Sequence, residues 1–162
     1  MADDAELVIA GGGLNGMLLG VACAGAGLST IVIDRQDPAA MTERMLRAVS
    51  HPHVDVIGHP TGRRPGSREG ATYDFEAVFK EAARHSVALE IDCDPARMDL
   101  SPEMARLACE YGCTFAIDAD AHAPAEFAYV PMGLWMARRA GIPRERILNF
   151  RPLDELTMAL EK

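Results

Sequence analysis

The chain has 162 residues and a formal net charge of −8 at pH 7, which suits a single domain with a real core and argues against a non-specific nucleic-acid binder, since those present basic faces to phosphates. Hydrophobic residues make up 49% and charged residues 25%, the balance of a soluble globular protein. The apolar runs are broken well before the ~18 residues of a membrane span, and the acidic opening Met1-Ala-Asp-Asp-Ala-Glu6 has the wrong charge for a secretory signal. A cytoplasmic location is therefore expected. Cys23, Cys93, Cys109 and Cys113 form no C-x-x-C pair and read as free thiols packed like small apolar residues.

Leu7-Val-Ile-Ala10, between acids and glycines, reads as a buried parallel strand, followed by an Ala/Leu/Gly-rich helix over Leu14–Ala26. Ser29-Thr-Ile-Val-Ile33 is the second strand, closing a βαβ unit. Asp37-Pro38 opens a helix that runs to about Val49, with Asp37 as its cap. Val54–Ile57 is the third strand, and the Gly/Pro/Arg-rich stretch from His59 to about Ala71 is a loop long enough to be functional. A helix over Asp74–His85, a strand over Val87–Ile91, a helix begun by Ser101-Pro102 and ended by Gly112, and a strand over Thr114–Ile117 follow. Glu126–Ala140 is helical around Pro131, Ile147–Phe150 is a weak sixth strand or a turn, and Pro152–Leu160 is the last helix. Trp135 and the methionines at 98, 104, 132 and 136 read as core residues, and His85 as a cap or surface group. Strands alternating with helices predict a parallel sheet covered on both faces.

Gly11, Gly13 and Gly16 fit G-x-G-x-x-G between a strand and a helix, and Asp34 closes the second strand where a carboxylate can accept ribose hydroxyls. That pattern predicts a nucleotide site. Read whole, residues 5–41 resemble the start of FAD-dependent aromatic hydroxylases of the ubiquinone-biosynthesis type. By that resemblance Gly11, Gly13, Gly16 and Asp34 would contact FAD, with Arg35 nearby. The resemblance stops near residue 41, so monooxygenase chemistry does not follow from it.

From Met41 a second resemblance begins. Met41–Arg63, including Gly58-His-Pro60, then Arg68-Glu-Gly70, Ala88-Leu-Glu-Ile-Asp92, Pro95-Ala-Arg-Met-Asp-Leu100, Ile117-Asp-Ala-Asp-Ala-His122 and Asn149-Phe-Arg-Pro-Leu153 resemble the PHP domain of bacterial X-family DNA polymerases. The resemblance implies a distorted barrel that binds divalent metals and hydrolyses phosphate esters. It places His59, Asp120 and His122 at metal-ligand positions, for one Zn²⁺ or Mn²⁺. The family's opening His-x-His and intermediate ligands have no counterpart here, and His51-Pro-His53 precedes its strand and reads as a loop. Arg63, Arg64 and Arg68 could hold a phosphate, or form a solvated patch.

These readings predict one α/β domain: a βαβ element over about 1–40 joined to a PHP-like fragment over about 41–162, a chimera whose junction between a strand and a helix suggests engineering. The expected sheet is three-layer α/β/α with five strands, a sixth being open, in the flavodoxin-like order 2-1-3-4-5; the alternative is a partial (β/α) barrel. The expected function is a scaffold without evolved turnover that retains FAD or nucleotide binding at the glycine turn; the alternative is a metal-dependent phosphoesterase. A small nucleotide or phosphate is the expected ligand, with neither nucleic acid nor membrane as a partner, and a homodimer stays open.

Overall fold

The computed structural model describes residues 7–10, 30–33 and 37–160. Helix starts follow from local capping chemistry. Asp37 accepts a hydrogen bond from the Ala39 amide at 2.9 Å and Pro38 takes the first position of α1 (Pro38–Val49). Asp74 caps α2 (Phe75–Arg84) through the Ala77 amide at 3.0 Å, and Ser101 caps α3 (Pro102–Glu110) through the Met104 amide at 3.3 Å. At the far end of α2, His85 is the C-cap, with its ring Nε2 3.0 Å from Glu81.

Pro131 restarts a helix rather than ending one. A 3-10 segment over Pro124–Tyr129 runs into α4 (Val130–Ala140), where the missing N–H of proline falls among donors that lack helical partners anyway. Gly141, at φ +76°, terminates α4 in the left-handed conformation. The last helix is α5 (Leu153–Leu160). Among the described residues no helix is long and apolar enough to cross a membrane.

Strands β1 (Leu7–Ala10) and β2 (Thr30–Ile33) pair in parallel, Leu7 with Thr30 through Ala10 with Ile33. A separate open parallel sheet has the order β3-β4-β5, from β3 (Val56–Ile57), β4 (Ala88–Asp92) and β5 (Phe115–Asp118). The expected single sheet of five strands in order 2-1-3-4-5 is corrected here: among the described residues no ladder joins β1 to β3. β3 offers little edge for one, being two residues long before the chain turns at Gly58 and His59.

Of the two readings of residues 147–150, a sixth strand or a turn, the structure shows the turn. Residues 148–150 form a 3-10 turn, joined to β5 by one parallel bridge between Phe115 and Ile147. Beside it, the Asn149 side chain accepts from the Ile117 amide and donates to the Ile117 carbonyl, both at 2.8 Å. A primary amide has the donor and acceptor of a peptide group, so Asn149 satisfies one residue of the strand edge.

The core lies on one face of the three-stranded sheet. Leu89, Ile91 and Cys93 from β4 and its end, with Phe115 and Ile117 from β5, alternate along their strands and join Met41, Met45, Val49, Val78, Phe79, Ala105, Ala108 and Met136. At Gly133, α4 comes so close to Cys93 and Ile117 that a β-carbon would overlap both. The intervening positions Ala88, Glu90 and Asp92, with Ala116 and Asp118, share the opposite face. The expected α/β/α layering calls for a second apolar face, and three carboxylates stand there instead. Cys93 and Cys113 are buried free thiols, both pushed up to about 12 by burial, which keeps them unreactive.

Candidate functional site

The C-terminal ends of β3, β4 and β5 bring together the groups with chemistry. His59 follows β3 with a left-handed φ of +29°, a conformation that L side chains rarely adopt. Its amide donates to Glu90 Oε2 in the neighbouring strand, and its side chain is exposed. Glu90 is only 8% exposed. Its carboxyl is pushed up to about 8, first by burial and then by a hydrogen bond with Asp118 that needs a proton between the two. Asp118 also accepts from the Asp120 amide at 2.9 Å, which fixes the turn after β5.

Asp92, fully buried at the end of β4, accepts from the Asp94 amide at 2.8 Å through Oδ1. Its Oδ2 has no hydrogen bond and lies 3.4 Å from Arg97 Nε. The same Nε is 3.2 Å from Asp120 Oδ2, so one guanidinium serves two carboxylates. Burial pushes Asp92 up to about 6 even with Arg97 beside it. Asp120 has a left-handed φ of +44°, a second strained position at the site.

Two further contacts tie the long loop to this end of the sheet. Asp99, fully buried, accepts from the Thr61 amide at 2.9 Å, the Thr61 hydroxyl at 2.8 Å and the Gly62 amide at 2.7 Å. Arg63 Nε donates to the Arg97 carbonyl at 3.2 Å. The base of the 59–71 loop is therefore pinned. Its arginines sit on a short hairpin closed by the Arg64–Arg68 bridge, beside a cleft lined by Arg63, Pro65, Arg68 and Glu69.

The expected ligand trio divides. His59 and Asp120 both lie at the strand ends, but Asp120 is taken by Arg97. His122 is exposed, with ring Nδ1 2.5 Å from the Asp120 carbonyl and its amide 2.6 Å from Glu126 Oε2. Among the described residues no group of three His, Cys, Asp or Glu side chains is placed to hold a metal ion. The donors are of the kind that Zn²⁺ or Mn²⁺ takes, imidazole and carboxylate. Of the three, Asp120 pairs with Arg97 instead. Gly11, Gly13, Gly16, Asp34 and Arg35 lie outside the described residues, and with them the expected nucleotide site. His51 and His53 precede β3 in an exposed loop, their rings 5.6 Å apart.

Sequence reasoning missed Glu90, Asp92, Asp118, Asp99 and Arg97. A signal existed: Leu-Glu-Ile-Asp in β4 and Ile-Asp-Ala-Asp after β5 put acids at alternate positions of strands that must be buried. Alternation alone also describes a strand with one solvated face, so only the burial of β4 makes the pattern diagnostic.

Comparison with known proteins gives the same direction. No family model matches the chain. It is 33% identical over 127 residues to the DNA polymerase/3'-5' exonuclease PolX of Bacillus subtilis, a match covering 78% of this chain and 22% of the polymerase. It is 27% identical over 143 residues to a probable phosphatase of Shewanella sp. strain ANA-3, covering 85% of this chain and 54% of the relative. A probable phosphatase of Escherichia coli, YcdX, is 29% identical over 133 residues, covering 78% and 52%. These matches support a PHP-like part. They give no support to an FAD hydroxylase part, to a chimera or to an engineered origin. The chain spans about a fifth of the polymerase and about half of the phosphatases it matches.

Proposed function

We propose that the PHP-like part is a phosphoesterase unit acting on phosphate monoesters, with its site at the C-terminal ends of β3, β4 and β5. The observation that carries the reading is the line of partnered acids there, Glu90 with Asp118 and Asp92 with Arg97 and Asp120, next to His59. Ligands and chemistry of parallel α/β proteins collect at that end of the strands. Similarity to probable phosphatases over about four fifths of the chain supports the same class.

In this reading Glu90 keeps a proton at neutral pH and is the group able to give one to a leaving oxygen. Arg97 supplies positive charge toward a phosphate and, in its present place, keeps Asp92 and Asp120 from repelling each other. His59, Asp120 and His122 are the proposed ligands of a divalent metal, which when bound would neutralise phosphate charge and activate water. Asp120 can serve a metal only by leaving Arg97.

The test is release of phosphate from p-nitrophenyl phosphate, with and without added Mn²⁺ or Zn²⁺. Wild-type protein should turn over in a metal-dependent way, and His59→Ala and Asp120→Asn should each lower the rate by roughly 100-fold, as loss of a positioned catalytic group does. Wild-type rates no better than the metal-only background would return the chain to the reading of a scaffold without turnover.

A further inference from the structure

The N-terminal ends of β4 and β5, opposite His59, border a cavity of about 270 Å³ lined by Ala83, Ser86, Thr114, Arg146, Leu148 and Arg151, among others. No acidic residue lines it, in a chain with a net charge of −8. Arg146 is held in place by a hydrogen bond from Nη1 to the Gly112 carbonyl. Gly112 itself sits at φ +92°, where a side chain would be strained. Neither Arg146 nor Arg151 pairs with a carboxylate among the described residues. Arg151 also borders a shallow cleft containing Glu145 and Glu155 and bonds to neither. Among the described residues the Ser86 and Thr114 hydroxyls make no hydrogen bond either, so two half-buried guanidiniums, a half-buried threonine and an exposed serine line one cavity.

We propose that this cavity is a binding site for a phosphate group, either inorganic phosphate or the terminal phosphate of a small ester. Two planar guanidiniums and two hydroxyls suit a tetrahedral anion with three or more acceptor oxygens better than a carboxylate with two. β4 alone is five residues long, roughly 16 Å of strand, so the cavity cannot hold the reacting phosphate of a substrate bound beside His59. It is a second site, and its existence does not depend on the proposed phosphoesterase activity.

Isothermal titration of the whole chain with inorganic phosphate at low ionic strength tests it, with folding of each variant checked by circular dichroism. Wild-type protein should bind saturably, and acetate should not compete. Arg151→Gln should weaken binding about tenfold, the scale of a lost hydrogen bond to a charged group, and Thr114→Val should weaken it less. His59→Ala, at the other end of the sheet, should leave this binding intact. Absence of saturable binding, indifference to both Arg151→Gln and Thr114→Val, or loss of binding in His59→Ala would each overturn the assignment.

Discussion

Strand β4 carries two chemistries back to back. Leu89 and Ile91 point into the core, while Ala88, Glu90 and Asp92 face the other way, and all five residues are buried. An apolar side chain gains free energy by leaving water, whereas a carboxylate loses it unless something replaces its hydration. Glu90 finds a proton and a neighbour in Asp118; Asp92 finds one amide and an ion pair with Arg97. One face of the strand thus adds stability through burial while the other loses some of it.

The contrast can be broken from either side. On the apolar face, Ile91→Ala should cost about 2–5 kcal/mol, the range for emptying a packed core position, read as a lower urea midpoint with an unchanged slope. On the acidic face, Arg97→Met removes the cation between Asp92 and Asp120 and should cost about 3 kcal/mol at pH 7.5. The loss should shrink toward pH 5, because Asp92, already pushed up to about 6, can then take a proton in place of the ion pair. A loss independent of pH would mean that Arg97 matters for packing alone.

The smallest effect has the opposite sign. Glu90 is held near 8 in the fold, against about 4.3 in an unfolded chain. Between those values the folded protein binds the proton that the unfolded chain has released, so stability falls as pH rises from about 4 to about 8. Glu90→Gln keeps the shape and removes the titration. It should flatten that slope and raise Tm by roughly 3 °C at pH 8, about 1 kcal/mol for a domain of this size. A variant less stable than wild type at pH 8 would show that ionised Glu90 is well paired after all.

What the sequence revealed depended on how local each determinant was. Asp37, Asp74 and Ser101 cap helices through bonds two or three residues away, and all three starts were readable. Strand pairing is non-local, and nothing in residues 54–57 said that β3 would shrink to two residues with no ladder to β1. The sequence suggests a core position for Trp135, yet it is 54% exposed, since α4 buries Gly133, Met136, Ala137 and Ala140 and leaves position 135 outside that stripe. Met136 is fully buried, while Met98, Met104 and Met132 only lean against the core. His59 follows an apolar run that ends at Gly58, which marks a strand end, whereas Asp120 stands at a ligand position only by the resemblance to PHP domains. That Asp120 would turn to Arg97, 23 positions earlier in the chain, could not be seen from either residue's neighbours.

Asn149 has a consequence beyond the fold of one molecule. An open β-sheet edge offers unpaired backbone groups to any extended segment of another chain, and growth by strand addition starts there. At β5 the position that an incoming strand would take opposite Ile117 is already filled by the Asn149 amide, with both bonds made. A side chain, unlike a strand, exposes no further edge on its outer side. At Ile117 the β5 edge therefore ends in a side chain that offers no edge of its own to a further strand.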